Sequence, residues 1–276
     1  MIRFTDREFE MLTEYVRSQT GIDLSKKRVL AECRLSGEME KRGIPSVTEL
    51  LKQVEKDKTK NLQAMVFNRL TTNYTFFLRE PKHFEFLEKV ILPELMESQR
   101  ILTYKIWCAG CSSGEECYTL SMLFADYQLR GGVLPAYRIW GTDIAEPELQ
   151  RAKEAKYPIW EIEQIPSGWR RFCREEKDGR FFTLTPNIRN HVEFQRANLL
   201  DGRISQGPFD LIFCRNVLIY FDDESRKKLL SRLYRLLKPG GYLFLGHTEL
   251  LTKNHEQFQY VYPAVYRKAA EKTGQG

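Results

Sequence analysis

The stretch Lys105 to Leu120, KIWCAGCSSGEECYTL, has the residue types and spacing best suited to chemistry. An apolar run ends in a loop of small residues, Gly110, Ser112, Ser113 and Gly114, and two glutamates, Glu115 and Glu116, open a helix. Small side chains let the backbone approach a ligand closely, and a helix start carries N–H groups with no intrahelical acceptor. A dinucleotide site would place G-x-G-x-x-G here, so that a pyrophosphate rests on the helix end. That pattern is absent, and paired carboxylates repel phosphate. They attract a cation instead, such as the amino or sulfonium group of S-adenosylmethionine, or else they simply favour the positive end of the helix.

Further along, Arg138-Ile139-Trp140-Gly141-Thr142-Asp143 ends an apolar run on an acid. A carboxylate at such a tip accepts both hydroxyls of a ribose, or caps the helix that Ile144-Ala145-Glu146-Pro147 would open. Asn198 and Leu199, within QRANLLD, could frame an adenine. Cys108 and Cys111 have CxxC spacing, but zinc needs two further ligands and neither a second CxxC nor a nearby histidine pair follows, so no metal is expected. The four histidines, 83, 191, 247 and 255, form no nucleophile–base constellation. His247, just past a predicted strand, is a base for some acceptor or a hydrogen-bonded structural residue.

These residues need a scaffold, and the chain supplies two kinds. Thr5 with Glu8 has capping-box spacing, and Phe9, Leu12, Tyr15 and Val16 recur at helical intervals up to Gly21. Ser25 is expected to cap a second helix with a stripe of Val29, Leu30, Cys33 and Met39, stopped by Gly43-Ile44-Pro45. Ser46 with Glu49 opens a third helix, and Leu62 to Leu70 forms a fourth. After TTNYTFFLRE, Thr71 to Glu80, Pro81 starts one long amphipathic helix through Phe84, Leu87, Val90, Ile91, Leu95 and Met96. From Tyr104 the pattern becomes short apolar runs alternating with helical segments, which predicts a mostly parallel sheet wound with helices. Strands are expected at Lys105–Ala109, Arg138–Thr142, Val192–Arg196, Asp210–Cys214 and Tyr242–Gly246, with a closing pair near Gln257–Arg267. Helices should fill Glu116–Gln128, Pro147–Ala155 and a segment from Tyr220 to Leu237. Residues 156–190, broken by Pro158, Pro166, Gly179 and Pro186, read as a small inserted subdomain with a strand at Phe181–Leu184.

A chain of 276 residues with 42% apolar and 29% charged side chains can bury real cores, and at about 150 residues per domain it suggests two. No apolar run reaches the roughly 20 residues that span a bilayer, and the N-terminus lacks a secretory pattern. A cytoplasmic protein with six reduced cysteines is expected, without membrane insertion. The charge of +6, from 43 Lys+Arg against 37 Asp+Glu, permits an acidic partner but lacks the clustered basicity of a nucleic-acid binder. The one concentration is Lys26, Lys27, Arg28, Arg34, Lys41 and Arg42, a docking face for an acidic surface or a solvated helix face.

In order, TTNYTFFLRE, SSGEECY, the acidic strand tip, Asn-Leu, FCRNVLIYF, LLKPGG and LFLGHTE resemble the CheR-type chemotaxis receptor methyltransferases over nearly the whole chain. The resemblance implies a class I, Rossmann-like α/β methyltransferase fold with an N-terminal all-α domain (1–72), a linker and connecting helix (73–99), and an S-adenosylmethionine-binding domain (100–276) carrying a small antiparallel β-subdomain (156–190). It implies methyl transfer to side-chain carboxylates of particular glutamates on the cytoplasmic helical region of chemoreceptors, giving methyl esters. Cofactor contacts then fall on Asn73, Thr75, Arg79, Glu116, Asp143, Asn198, Leu199, Arg215 and Asn216. Arg79, Asn216 and Tyr220 serve the reacting groups, Tyr220 one turn beyond the asparagine, and the basic second helix meets the receptor. Gly110-Cys111 and Cys117 depart from relatives that often carry Ala and Pro there. Two rival functions share the same motifs: a methyltransferase acting on nucleic acid, against which the Arg215-Asn216-Val217-Leu218 tetrad speaks, and a non-catalytic receptor-binding adaptor. Nothing in the pattern obliges a dimer, so a monomer is the expectation.

Overall fold

The computed structural model describes residues 2–97, 102–252 and 255–269. The boundary expected at 99/100 and the outer limits at 1 and 276 lie outside them. The capping box at Thr5 and Glu8 forms with both of its hydrogen bonds and starts α1 (Asp6–Thr20). Gly21, at φ +76°, ends the helix, and a Cβ there would meet Leu200 Cδ1 at 2.4 Å and Phe221 Cδ1 at 2.9 Å. One glycine thus closes a helix and lets the helical part lie against the sheet part.

The second helix, α2 (Arg28–Lys41), departs from expectation in its start and its buried face. Ser25 does not cap it, because Asp23 captures the Ser25 amide at 2.8 Å in a local turn and the helix begins after Lys27. Val29 is 68% exposed and Cys33 is exposed, whereas Ala31, Leu35 and Met39, four residues apart, form the buried row. Ser46 caps α3 (Val47–Lys56), α4 (Asn61–Leu70) follows, and the four helices share a core of Leu12, Val16, Leu35, Leu50 and Val66.

The long helix expected after Pro81 forms as one unbroken helical run with a π-helical turn (Leu87–Ile91) between α5 (Pro81–Phe86) and α6 (Leu92–Glu97). The sheet domain then runs β1 (Thr103–Ala109), α7 (Glu115–Leu129), β2 (Ala136–Asp143), α8 (Glu146–Glu154), an insert, β6 (Val192–Arg196), β7 (Phe209–Cys214), α10 (Asp223–Leu236), β8 (Leu237–Leu245), β9 (Phe258–Tyr262) and β10 (Val265–Lys268). The insert comprises β3 (Lys156–Pro158), β4 (Cys173–Glu175), β5 (Phe181–Leu184) and α9 (Pro186–Arg189), its strands forming a separate antiparallel sheet in the order β3-β5-β4.

Strands of the main sheet lie in the order β6-β2-β1-β7-β8-β10-β9, the first five mutually parallel, with β10 antiparallel to both of its neighbours, β8 and β9. Every residue of β7 is buried, as expected of a central strand covered on both faces. Phe213 and Phe244 on adjacent strands stack at 4.4 Å and 6°. The helix expected from Tyr220 starts later, since Asp222 accepts the Ser225 amide at 2.7 Å and caps α10; Leu218–Tyr220 is a 3-10 turn. No helix among the described residues is long and apolar enough to cross a membrane.

Candidate active site

The chain leaves β1 toward β2 and β6 on one side and returns to β7 on the other, so the winding direction reverses between β1 and β7. A crevice must open there at the carboxyl ends of the strands, because the connecting segments diverge. A cleft of about 1030 Å³, counting space open to solvent, lies at these ends. It is lined by the loop Gly110–Ser112 after β1, Asp143 at the end of β2, Ala197–Leu199 after β6 and Arg215–Val217 after β7, with Thr71–Phe76 and Arg79 across it and Thr20 and Ile22 from the helical domain.

Asn73, Thr75, Arg79, Glu116, Asp143, Asn198, Leu199, Arg215, Asn216 and Tyr220 all border this cleft. Its loops are tied together by specific bonds. Ser112 Oγ donates to the Asn73 carbonyl at 2.7 Å, joining the Thr-rich segment to the β1 loop. Arg79 donates to the Tyr74 carbonyl at 2.7 Å and lies beside the Tyr74 and Phe76 rings. Asn198 spends its amide on two backbone groups: Nδ2 donates to the Gln19 carbonyl at 2.8 Å and Oδ1 accepts from Leu200 N at 3.0 Å. Its side chain therefore fastens the helical domain to the rim.

Gly110 and Gly114 serve packing as well as backbone freedom. At φ +80°, a Cβ on Gly110 would lie 2.6 Å from Val217 Cγ2, and at φ +91° one on Gly114 would lie 2.9 Å from Ala152 Cβ. Of the two glutamates, only Glu116 borders the cleft. Glu115 is turned to the insert side, buried, with both carboxylate oxygens taking the Ser113 hydroxyl at 2.8 and 2.9 Å. Burial pushes its pKa up to about 7, and Glu161 adds to the rise.

The electrostatic centre is Arg215, whose side chain is 2% exposed. It lies 3.3 Å from Glu80 Oε2 and 3.4 Å from Glu116 Oε2, and it donates to the Arg79 carbonyl. Burial raises the Glu116 pKa and Arg215 opposes the rise. For Glu80 burial also pushes upward, but Arg215, the Asn216 amide and His247 outweigh it, and the net direction is down. Asp143 accepts Ala145 N at 2.9 Å on Oδ1 and Ser112 N at 2.8 Å on Oδ2; burial raises its pKa against these amides. It closes the turn ahead of α8 but does not cap that helix, whose N-cap is Ala145 without a side-chain cap bond; it borders the cleft, and each of its oxygens keeps a lone pair.

Glu80 and Glu249 escaped the sequence argument. Glu249, 7% exposed, accepts Gly246 N and Asn216 N at 2.7 Å each and Ile219 N at 3.1 Å, pinning the Asn216–Tyr220 turn in which Asn216 takes φ +58°. A glutamate in a loop signals solvent in one dimension. Only an acid beside Arg79 and Pro81, and another after LFLGHT, could have drawn notice.

None of Lys26, Lys27, Arg28, Arg34, Lys41 and Arg42 borders the cleft. Lys27 Nζ lies 4.4 Å from the centre of the Tyr220 ring, while Asp23 N donates to the Tyr220 carbonyl at 2.8 Å. Arg28 is held by Asp6, Glu32 and the Phe4 carbonyl, and Arg34 donates to the Thr71 carbonyl at 2.8 Å. Lys41 and Arg42 each lie 3.8 Å from Glu38, and Lys26 is exposed. The cysteine pair is no thiolate centre: burial pushes Cys108 up to about 12 and raises Cys111.

The lining suits S-adenosylmethionine. Asp143 has lone pairs for a ribose diol, and Glu116 supplies negative charge. Arg215 Nε and Nη1, buried without hydrogen-bond acceptors, are donors that the ligand's carboxylate would satisfy.

Comparison with known proteins agrees. Residues 73–266 match the family described as CheR methyltransferase, SAM binding domain, and residues 7–71 match CheR methyltransferase, all-alpha domain. A chemotaxis protein methyltransferase of Borreliella burgdorferi is 37% identical over 97% of this chain and 96% of its own. Chemotaxis protein methyltransferase 1 of Pseudomonas aeruginosa is 38% identical over 92% and 94%. The chemotaxis protein methyltransferase of Vibrio parahaemolyticus is 35% identical over 94% and 95%.

Proposed function

The chain belongs to the CheR methyltransferase family, and from that premise we propose that it converts particular glutamates on the cytoplasmic helices of chemoreceptors to methyl esters, with S-adenosylmethionine as donor. The observation that carries this reading is the acid-bordered cleft at the β1/β7 reversal, where Asp143 and Glu116 converge with Arg215. S-adenosylmethionine, when bound, supplies an electrophilic methyl on a cationic sulfur.

On this reading Asp143 receives the ribose hydroxyls, while Glu116 and Arg215 meet the amino and carboxylate ends of the donor. Asn73, Thr75 and Arg79 cover it, and Ala197, Asn198 and Leu199 form the base-side rim. Asn216 and Tyr220 orient the acceptor oxygen, with Arg79 ordering the covering segment. No residue need act as a base, because a glutamate with a pKa of about 4.3 is already ionised at neutral pH. Attack of an anion on a cation removes charge as the transition state forms, so the protein's task is alignment in a water-poor cleft, worth at most roughly 7 to 11 kcal/mol. The helical domain (1–72) would steer the acceptor: Lys26, Lys27, Arg28, Arg34, Lys41 and Arg42 offer an acidic receptor bundle a salt-dependent attraction, and Lys27 leads from that surface to Tyr220. The insert (156–190) is a second candidate contact for the receptor.

The test is transfer of labelled methyl to receptor-containing membranes, followed by mild alkali. Release of volatile methanol, lost in Asp143→Asn, supports the ester. An alkali-stable product would overturn the glutamate assignment, and donor binding without transfer to an authentic receptor would favour an adaptor.

A further inference from the structure

Beside the cleft, outside the residues assigned to donor or acceptor, Glu80, His83 and His247 bring three ligand atoms within 4.8 Å of one another. His83 Nδ1 lies 3.4 Å and His247 Nε2 3.9 Å from the same atom, Glu80 Oε2. The histidine rings meet edge to face at 4.9 Å. His83 is wholly buried, and its Nδ1 and Glu80 Oε2 have no hydrogen-bond partner.

The proton count makes this arrangement unusual. His83 Nε2 faces the Pro263 carbonyl at 3.3 Å, an acceptor, and Nδ1 faces a carboxylate oxygen, also an acceptor. Neutral imidazole has one N–H. If Nε2–H donates to Pro263, the Nδ1 lone pair is aimed at Oε2; the other tautomer sets a lone pair against the carbonyl. A second proton would satisfy both, at the cost of a charge on a wholly buried ring. A cation between Nδ1 and Oε2 resolves the conflict.

We propose that Glu80 Oε2, His83 Nδ1 and His247 Nε2 form a binding site for a divalent transition-metal ion of the zinc class. Ligand bonds of about 2.0 to 2.2 Å separate tetrahedral donors by about 3.3 to 3.5 Å. The Glu80–His83 distance already matches, and His247, with a side chain 48% exposed, is able to close the remainder and leave a position open to water. Two imidazoles select against magnesium and calcium, which take oxygen ligands. Arg215 lies 3.3 Å from the same Glu80 oxygen and weakens the site, but Glu116 holds its other face, and with both carboxylates ionised the three side chains sum to one negative charge. The bound ion clasps the segment bearing Glu80 and His83 to the loop after β8. Because Glu80 Oε1 accepts the Asn216 amide at 3.1 Å, the clasp reaches a residue of the cleft.

The experiment titrates the metal-free full chain with cobalt(II). The site predicts visible d–d absorption saturating at one ion per chain, displacement by zinc, and a raised unfolding temperature. His247→Ala, a change at a half-exposed position, abolishes all three, while substitution of the exposed Cys33 by serine preserves them. Absence of saturable absorption, absorption undiminished in His247→Ala, or a sulfur-to-cobalt charge-transfer band would each overturn the assignment.

Discussion

Glu115 and Glu116 are neighbours in the chain with identical side chains, yet the fold sends them to different surroundings at the start of α7. Glu116 borders the cleft and lies 3.4 Å from the buried guanidinium of Arg215. Glu115 faces the insert, where a serine hydroxyl holds it; burial and the second buried acid Glu161 raise its pKa to about 7 against the opposing charge of Arg151. A helix turns about 100° per residue, so adjacent positions on a buried helix meet different surroundings. The contrast teaches that burial raises the pKa of both carboxylates, and that a cation the fold places beside one of them opposes that rise.

Removing that counter-charge should have the largest effect. Arg215→Ala leaves Glu80 and Glu116 unpaired in a buried place and is expected to cost about 3 to 5 kcal/mol of stability and abolish transfer; denaturant unfolding and a methyl-transfer assay read both. Next comes the pH dependence at Glu115. Below pH 4.5 folded and unfolded chains both hold the proton; between 4.5 and about 7 only the folded chain holds it, so stability falls as pH rises, and above 7 the penalty is constant. Glu115→Gln should therefore gain about 2 to 3 kcal/mol relative to the parent between pH 4.5 and 8, while donor affinity stays within about twofold. A flat difference across that range would show that Glu115 is as well compensated as its neighbour.

Glu116→Gln is the mirror experiment. Donor affinity measured by calorimetry should fall about tenfold, or 1.4 kcal/mol, with no change in the pH slope assigned to Glu115. The smallest effect belongs to the rim: Asn198→Ala removes the bond to Gln19 and should lower stability by about 1 kcal/mol, seen in denaturant midpoints.

Much of this architecture was legible in the chain. Capping at Thr5 and Ser46, β6 at its expected bounds and the strand at Phe181–Leu184 follow from local rules, since hydrogen-bonding side chains and alternation act within a few residues. The misreadings had local competitors. Ser25 donates its own amide to Asp23 in a turn and α2 starts only after Lys27, and Asp222 began α10 past Tyr220. Gly110, read as part of a ligand-approaching loop, does line the cleft, while the sequence could not show that side chains on Gly110 and Gly114 would also collide with Val217 and Ala152. Glu80 and Glu249 stayed hidden because their partners, Arg215 and Asn216, arrive from distant segments.

By itself the sequence determined the alternation of elements, the loop of small residues and the acids that would stand at strand ends, because periodicity and turn chemistry are short-range properties. Tertiary structure decided which glutamate faces the cleft, how one arginine balances two acids, and that Glu80, His83 and His247 share a corner. Charge compensation depends on distance in space, and a parallel sheet joins residues that the chain keeps far apart.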